Sequence, residues 1–227
     1  MNKKYKIGIL RVLTTEDSKI LMAHQKILEN LFLEFEYETK CIPDQYEGIH
    51  DEETYNVAFP KIIDLASKWE NDIDGLIVSC AGDPAVRHLQ DMLSIPVVGA
   101  GISAASLSLN YGEKVGIIGI EEYPPPAYED ILGNRIIGYE LPEGIENTND
   151  LQTEKGKASI VESAMRLKGK GCDVIAFACT GLSTANAVDM LKDIGIPVVD
   201  AVVAEGTIMK YKITEKSMRE RICVQNR

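Results

Sequence analysis

Several absences narrow the reading before any motif is considered. The 227 residues include five cysteines, an odd number at wide spacing, with no C-x-x-C pair. Neither a disulfide framework nor a zinc site is suggested, so Cys41, Cys80, Cys172, Cys179 and Cys223 read as free thiols in a reducing cytoplasm. No metal site is expected. Positive charge is scarce, with 24 Lys and Arg against 35 Asp and Glu and a formal net charge of −11. A nucleic-acid partner needs a clustered basic surface, so none is expected. The apolar stretch near the start is short, broken by Arg11 and followed by acidic residues, which excludes a signal peptide and a membrane span there. No low-complexity tract occurs, and the only loop-rich region runs from 121 to 150, through EEYPPPAYED, LPEG and NTND.

The chain does contain an alternation of strand and helix signals. KIGIL, DGLIV, KVGIIGI and DVIAFA are short apolar runs of the kind that form parallel strands covered on both faces. Between them lie helical patterns at 16–35, 54–69, 84–93, 152–168 and 183–193, the first entered through Thr14, Thr15 and Asp17 as candidate caps. Strands alternating with helices give an α/β fold with a parallel sheet covered by helices.

The sequence also repeats itself. KIGIL from Lys6 returns as KVGII from Lys114, DGLIVSCAGD from Asp74 as DVIAFACTGL from Asp173, and DMLSIPVVGA from Asp91 as DMLKDIGIPVVDA from Asp189. The offsets are 108, 99 and 98 residues, in order, as short insertions and deletions would produce. Two similar lobes of about 100 residues, related by internal duplication, follow. Each contributes a strand that ends in a cysteine, Cys80 and Cys179. Ligands of open α/β sheets bind outside the carboxyl ends of the strands, so a cleft between the lobes would place these thiols on opposite walls. Nearby N–H groups and helix N-termini would favour a thiolate. A thiolate facing a thiol can take a proton from a carbon on one side and return one on the other. The alternative is that both are buried strand-end cysteines, a common fate of free cysteine.

SCAGDPAV followed by IPVVGAGISA, with ACTG and IPVVDAVVAEG about 100 residues later, resembles the aspartate/glutamate/hydantoin racemase superfamily, nearest its hydantoin racemase-like branch. The resemblance covers most of the chain. It implies two flavodoxin-like lobes with parallel sheets, one from residues 1–99 plus about 205–227 and the other from 100–204, with the active site in the cleft between them. It implies a cofactor-independent 1,1-proton transfer on a small molecule, an amino acid or a hydantoin, carried by Cys80 and Cys179. The first loop, with Arg11, Thr14 and Thr15, would hold polar groups of the substrate, together with Ala81, Gly82 and Asp83 after the first cysteine and Thr180 and Gly181 after the second. That loop, LRVLTTED, departs from the Asn-Pro-Asn-Thr type of hydantoin racemases, and Glu121 and Glu122 in the matching loop would repel a substrate carboxylate if they faced the cleft. A homo-oligomer is compatible with this reading, and a membrane partner is not expected.

Two other functions fit the same features. One is a cysteine-dependent decarboxylase or maleate-type cis–trans isomerase on the same fold; the other is a two-lobed small-molecule-binding protein without chemistry. A dinucleotide fingerprint is also present in GAGISA, where Gly99, Gly101 and Ala104 fit G-x-G-x-x-G/A and Glu121 lies 20 residues beyond Gly101. The second copy of the repeat has no such glycines, so a tight strand-to-helix turn or close packing accounts for them better than NAD does. His24 reads as packed or partly exposed, and His50 and His88 carry no ligand spacing. Cys172 reads as packing, Cys41 and Cys223 carry no signal, Pro124-Pro125-Pro126 reads as a stiff loop, and Glu34, Glu36 and Glu38 read as a solvated edge.

Overall fold

The computed structural model describes residues 4–225, and the side chain of Cys223 lies outside the described residues. The first half begins with β1 (Tyr5–Arg11), α1 (Ser18–Leu21), α2 (Ala23–Leu31), β2 (Phe35–Cys41) and α3 (Glu52–Trp69). It continues with β3 (Gly75–Ser79), α4 (Val86–Met92), β4 (Val97–Gly99) and α5 (Ala100–Ser108). The second half contains β5 (Val115–Ile118), α6 (Pro126–Leu132), β6 (Ile136–Glu140), α7 (Glu154–Gly169) and β7 (Val174–Phe177). It ends with α8 (Gly181–Thr184), α9 (Ala187–Met190), β8 (Val198–Val199) and α10 (Ala201–Gln225).

The strands form two four-stranded sheets of identical order, β2-β1-β3-β4 and β6-β5-β7-β8, and every pairing is parallel. β3, β5 and β7 are buried along their whole length, because helices cover both faces of each sheet. β1 becomes fully buried from Ile7 onward. The edge strands β2 and β6 are mostly half-buried, which is why they carry polar residues. The acidic run at 34–38 therefore includes part of an edge strand, with Glu36 and Glu38 paired in register to Lys6 and Gly8.

Two expected helices are interrupted. The pattern at 16–35 divides at Met22 into α1 and α2 and gives way to β2 at Phe35. The pattern at 183–193 divides at Asn186, whose φ of 58° places it in the left-handed region that ends regular helix. α3 begins in a capping box in which Asp51 accepts from the Thr54 N–H at 2.8 Å.

Two helices, the nine-residue α5 and the 25-residue α10, each pack on the other half's sheet. Ala100, Ala104 and Ala105 of α5 pack with Val115, Ile117 and Val174 of the second sheet. Val202, Met209 and Ile213 of α10 pack with Ile7, Ile9 and Ile77 of the first. Each sheet is thus covered in part by a helix that follows the last strand of the other, and α5 and α10 also pack on each other. This exchange holds the carboxyl ends of the two sheets face to face. No helix is long and apolar enough to cross a membrane among the described residues.

Candidate active site

Cys80 follows β3, and Cys179 stands one residue beyond Ala178 after β7; both line one small cavity of about 30 Å³ between the sheets. Arg11, Ala81, Gly82 and Thr180 line the same cavity. Gly181 contributes its N–H, which points at Cys179 Sγ at 3.3 Å.

The electrostatics of the thiols differ from the sequence expectation. Burial pushes Cys179 up to about 11, against the N–H of Gly181, which favours the thiolate. Burial also pushes Cys80 well above the ordinary thiol range, against the N–H of Gly82 and with a further rise from Cys179. The backbone donors are present, but desolvation outweighs them. Arg11 is 2% exposed and burial lowers it to about 10, while Cys41 first, then Glu205, Cys179 and Cys80, act in the opposite direction. One guanidinium nitrogen donates to the carbonyls of Ile20 and Leu21 at 2.8 and 3.2 Å, and Nε is buried without a partner.

Thr14 and Thr15 line neither this cavity nor the larger one beside it, whereas Asp83 lines the larger one. Thr14 joins its loop to the next one, donating to the Ile42 carbonyl at 2.6 Å and accepting from the Gln45 N–H at 2.8 Å. Thr15 accepts from the Asp17 N–H at 3.2 Å. Asp83 accepts from the N–H groups of Gly101 and Ile102 at 2.8 and 2.6 Å, so it caps α5. Asp83 itself adopts φ 50°, and a Cβ on Gly99 would lie 2.2 Å from its Oδ1. A Cβ on Gly101 would lie 2.1 Å from the Ala81 carbonyl oxygen. The glycines of GAGISA are therefore required for the close approach of the Cys80 loop to α5. In the second half Asp200 does the same for α10, accepting from Val202 and Val203 N–H and from Ser183 Oγ.

Sequence reasoning missed a buried polar chain behind the thiols. His24 is fully buried and bridges the two halves, with Nδ1 2.7 Å from Ser79 Oγ and Nε2 3.0 Å from Thr184 Oγ1. Ser79 also bonds Glu205 at 2.5 Å, and Thr180 donates to the Ser79 carbonyl at 3.3 Å. Burial, reinforced by the Arg11 charge, holds His24 well below the usual imidazole range, so the ring is neutral. Burial likewise holds the Glu205 carboxyl well above its ordinary range, and Oε2 has no partner. The one signal for Glu205 was a carboxylate inside the otherwise apolar AVVAEGTIM. Thr148, in the NTND loop, also lines the cavity and acts to lower the Cys179 thiol.

A second cavity, about 630 Å³, adjoins the first and is of ligand size. Ile49, Gly82 and Glu121 border both. Its wall includes Tyr55, Phe59 and His88, with ring centroids 6.0 and 5.9 Å apart in sequence, and Pro125 and Pro126 from the stiff loop. Among the described residues no group of three or more His, Cys, Asp or Glu could hold a metal ion.

The family model for Asp/Glu/Hydantoin racemase matches residues 20–205. A hydantoin racemase of a Pseudomonas species is 25% identical over 178 residues, covering 73% of this chain and 68% of its own. The crystal structure of allantoin racemase from Pseudomonas fluorescens superposes with a TM-score of 0.80 at 19% identity, covering 93% of this chain and 92% of that one. A variant of arylmalonate decarboxylase superposes with a TM-score of 0.68 at 14% identity over 92% of each chain. These structural likenesses are of fold, with two parallel sheets meeting at a cleft. With the family model spanning most of its length, the chain belongs to the Asp/Glu/hydantoin racemase family.

Proposed function

We propose that this chain is a cofactor-independent racemase or epimerase of a small amino acid or hydantoin, acting in the cytoplasm with Cys80 and Cys179 as the two proton-transferring groups. The observation that carries the reading is the placement of two thiols, at matching ends of β3 and β7, on a single cavity. One thiolate takes the proton from the acidic carbon, and the electron pair left there is delocalised into the adjoining carbonyl. The opposite thiol donates its proton to the other face, becoming the thiolate that serves the reverse reaction. The N–H groups of Gly82 and Gly181 stabilise the sulfur that carries the charge, and the buried cation of Arg11 favours that charge in a site otherwise hostile to it.

Within this reading Arg11, Ala81, Gly82, Thr180 and Gly181 form the substrate-facing wall. Thr14 and Thr15 set the first loop, and Asp83 sets the Cys80 loop. The lobes are taken as residues 1–99 with about 205–227, and 100–204. A decarboxylase or cis–trans isomerase on this fold is the second reading, favoured by the likeness to arylmalonate decarboxylase. It would leave one of the two thiols without a task.

A chiral-column screen of L- and D-amino acids and 5-substituted hydantoins separates the two. Interconversion of enantiomers, surviving dialysis against a chelator and without added nicotinamide or pyridoxal cofactor, is expected. Release of carbon dioxide from a malonate-type acid without interconversion of any enantiomer would favour the second reading.

A further inference from the structure

Glu121 stands at the neck between the two cavities with no obvious task. Its carbonyl accepts from Tyr139 Oη at 2.7 Å, so the backbone there is fixed. Its carboxylate has no hydrogen-bond or ion-pair partner among the described residues, although it borders both cavities. It lies close enough to Cys80 and Cys179 to raise both thiols. Burial raises its carboxyl above the ordinary range, His50 opposing that rise and Asp51 adding to it. When ionised, this carboxylate opposes thiolate formation and any negative charge developing on a substrate carbon. Its presence is accounted for if a bound substrate supplies the donor that the protein does not.

We propose that Glu121 is a specificity-determining residue: it accepts a hydrogen bond from an N–H donor on the substrate and rejects substrates that place a carboxylate at the neck. The inference rests on the racemase reading of the same site and adds the chemistry of the group recognised. Two donors share that chemistry, a neutral ureide or imide N–H and an ammonium. The larger cavity, with Tyr55, Phe59 and His88, accommodates the remainder of the molecule. A hydrogen bond to a charged group that is desolvated on binding contributes on the order of 10-fold in affinity, and a facing carboxylate forfeits at least as much.

The test uses the full chain and its Glu121→Gln and Glu121→Ala variants, with four probes: 5-benzylhydantoin, its N,N′-dimethyl derivative, phenylalanine and phenylalaninamide. Calorimetric affinity is measured for each, and solvent-deuterium incorporation is followed in parallel. If the donor is a ureide N–H, wild type favours the hydantoin over its methylated form on the order of 10-fold, and both variants erase most of that ratio while improving phenylalanine relative to the hydantoin. If the donor is an ammonium, the loss falls on phenylalaninamide instead. Ratios among all four probes that are the same in wild type and both variants would overturn the proposal, as would a wild type that binds none of the N–H probes. Binding does not depend on turnover, so absence of deuterium incorporation with intact, Glu121-dependent binding counts against the racemase reading alone. Unchanged ratios in variants that still incorporate deuterium count against Glu121 alone.

Discussion

The character of the site is decided at single residues by burial. Cys80 and Cys179 were legible in the sequence because the repeat places both at the same strand end, and Glu121 was legible as a charge in the matching loop. Their ionisation was not legible, since it depends on how completely the facing wall excludes water. His24 and Glu205 were not legible either, because the partners that define them lie 55, 160 and 126 residues away. His24 makes a specific pH dependence. In the unfolded chain it titrates near the ordinary imidazole value of about 6.5, whereas in the fold it stays neutral well below that. As pH falls below about 6.5 the unfolded state takes up a proton that the folded state refuses, so stability is lost toward acid. Glu205 acts in the opposite sense, since its raised carboxyl stays protonated in the fold above the pH at which the unfolded chain releases it. Melting temperature should therefore fall between pH 7 and pH 5.5 more steeply in wild type than in His24→Gln, with equal slopes contradicting the buried neutral assignment. His24→Ala should cost about 1–3 kcal/mol in urea unfolding at pH 7, because Ser79 and Thr184 lose a buried partner.

Among the elements, the central strands were readable as continuous apolar runs because both of their faces are covered. The edge strands β2 and β6 were not, since one wet side leaves them with residues that a loop could equally carry. The helix breaks at Met22 and Asn186 were hidden for a related reason: apolar periodicity persists across both while the backbone departs from it. The glycines before α5 illustrate how a motif acquires meaning from its neighbours. In isolation GAGISA fits a phosphate-binding turn, but Asp83 occupies the N-terminus of α5 and the Ala81 carbonyl lies against Gly101. Gly99→Ala and Gly101→Ala should each destabilise the protein by about 1–3 kcal/mol through overpacking, measured by urea unfolding. Both should also lower activity, because the displaced loop carries Cys80. Unchanged stability in both variants would contradict the packing role.

For the whole molecule, duplication produces two sheets of the same order, and the exchange of α5 and α10 brings their carboxyl ends together. The fold class and the pairing of halves followed from the repeat; placing residues 100–204 in one lobe and returning about 205–227 to the other came from the family resemblance, because contacts between distant segments leave no mark in the repeat itself. The arrangement is closed, with a cavity of about 30 Å³ between the thiols and with His24–Thr184 and Thr180–Ser79 bonds crossing from one half to the other. The larger cavity of about 630 Å³ adjoins it through Ile49, Gly82 and Glu121 and offers the approach to the cysteines. Two opposed walls, each supplying one thiol, are the central claim. Its most direct test is racemisation in D₂O, with the isotopic content of each enantiomer followed from the start in wild type, Cys80→Ala, Cys179→Ala and the double variant. The account predicts early deuterium in the product enantiomer before appreciable label in the substrate, a loss on the order of 10²-fold or more for each single substitution, and little further loss for the double. Near wild-type racemisation by either single variant, or product free of solvent deuterium, would contradict it.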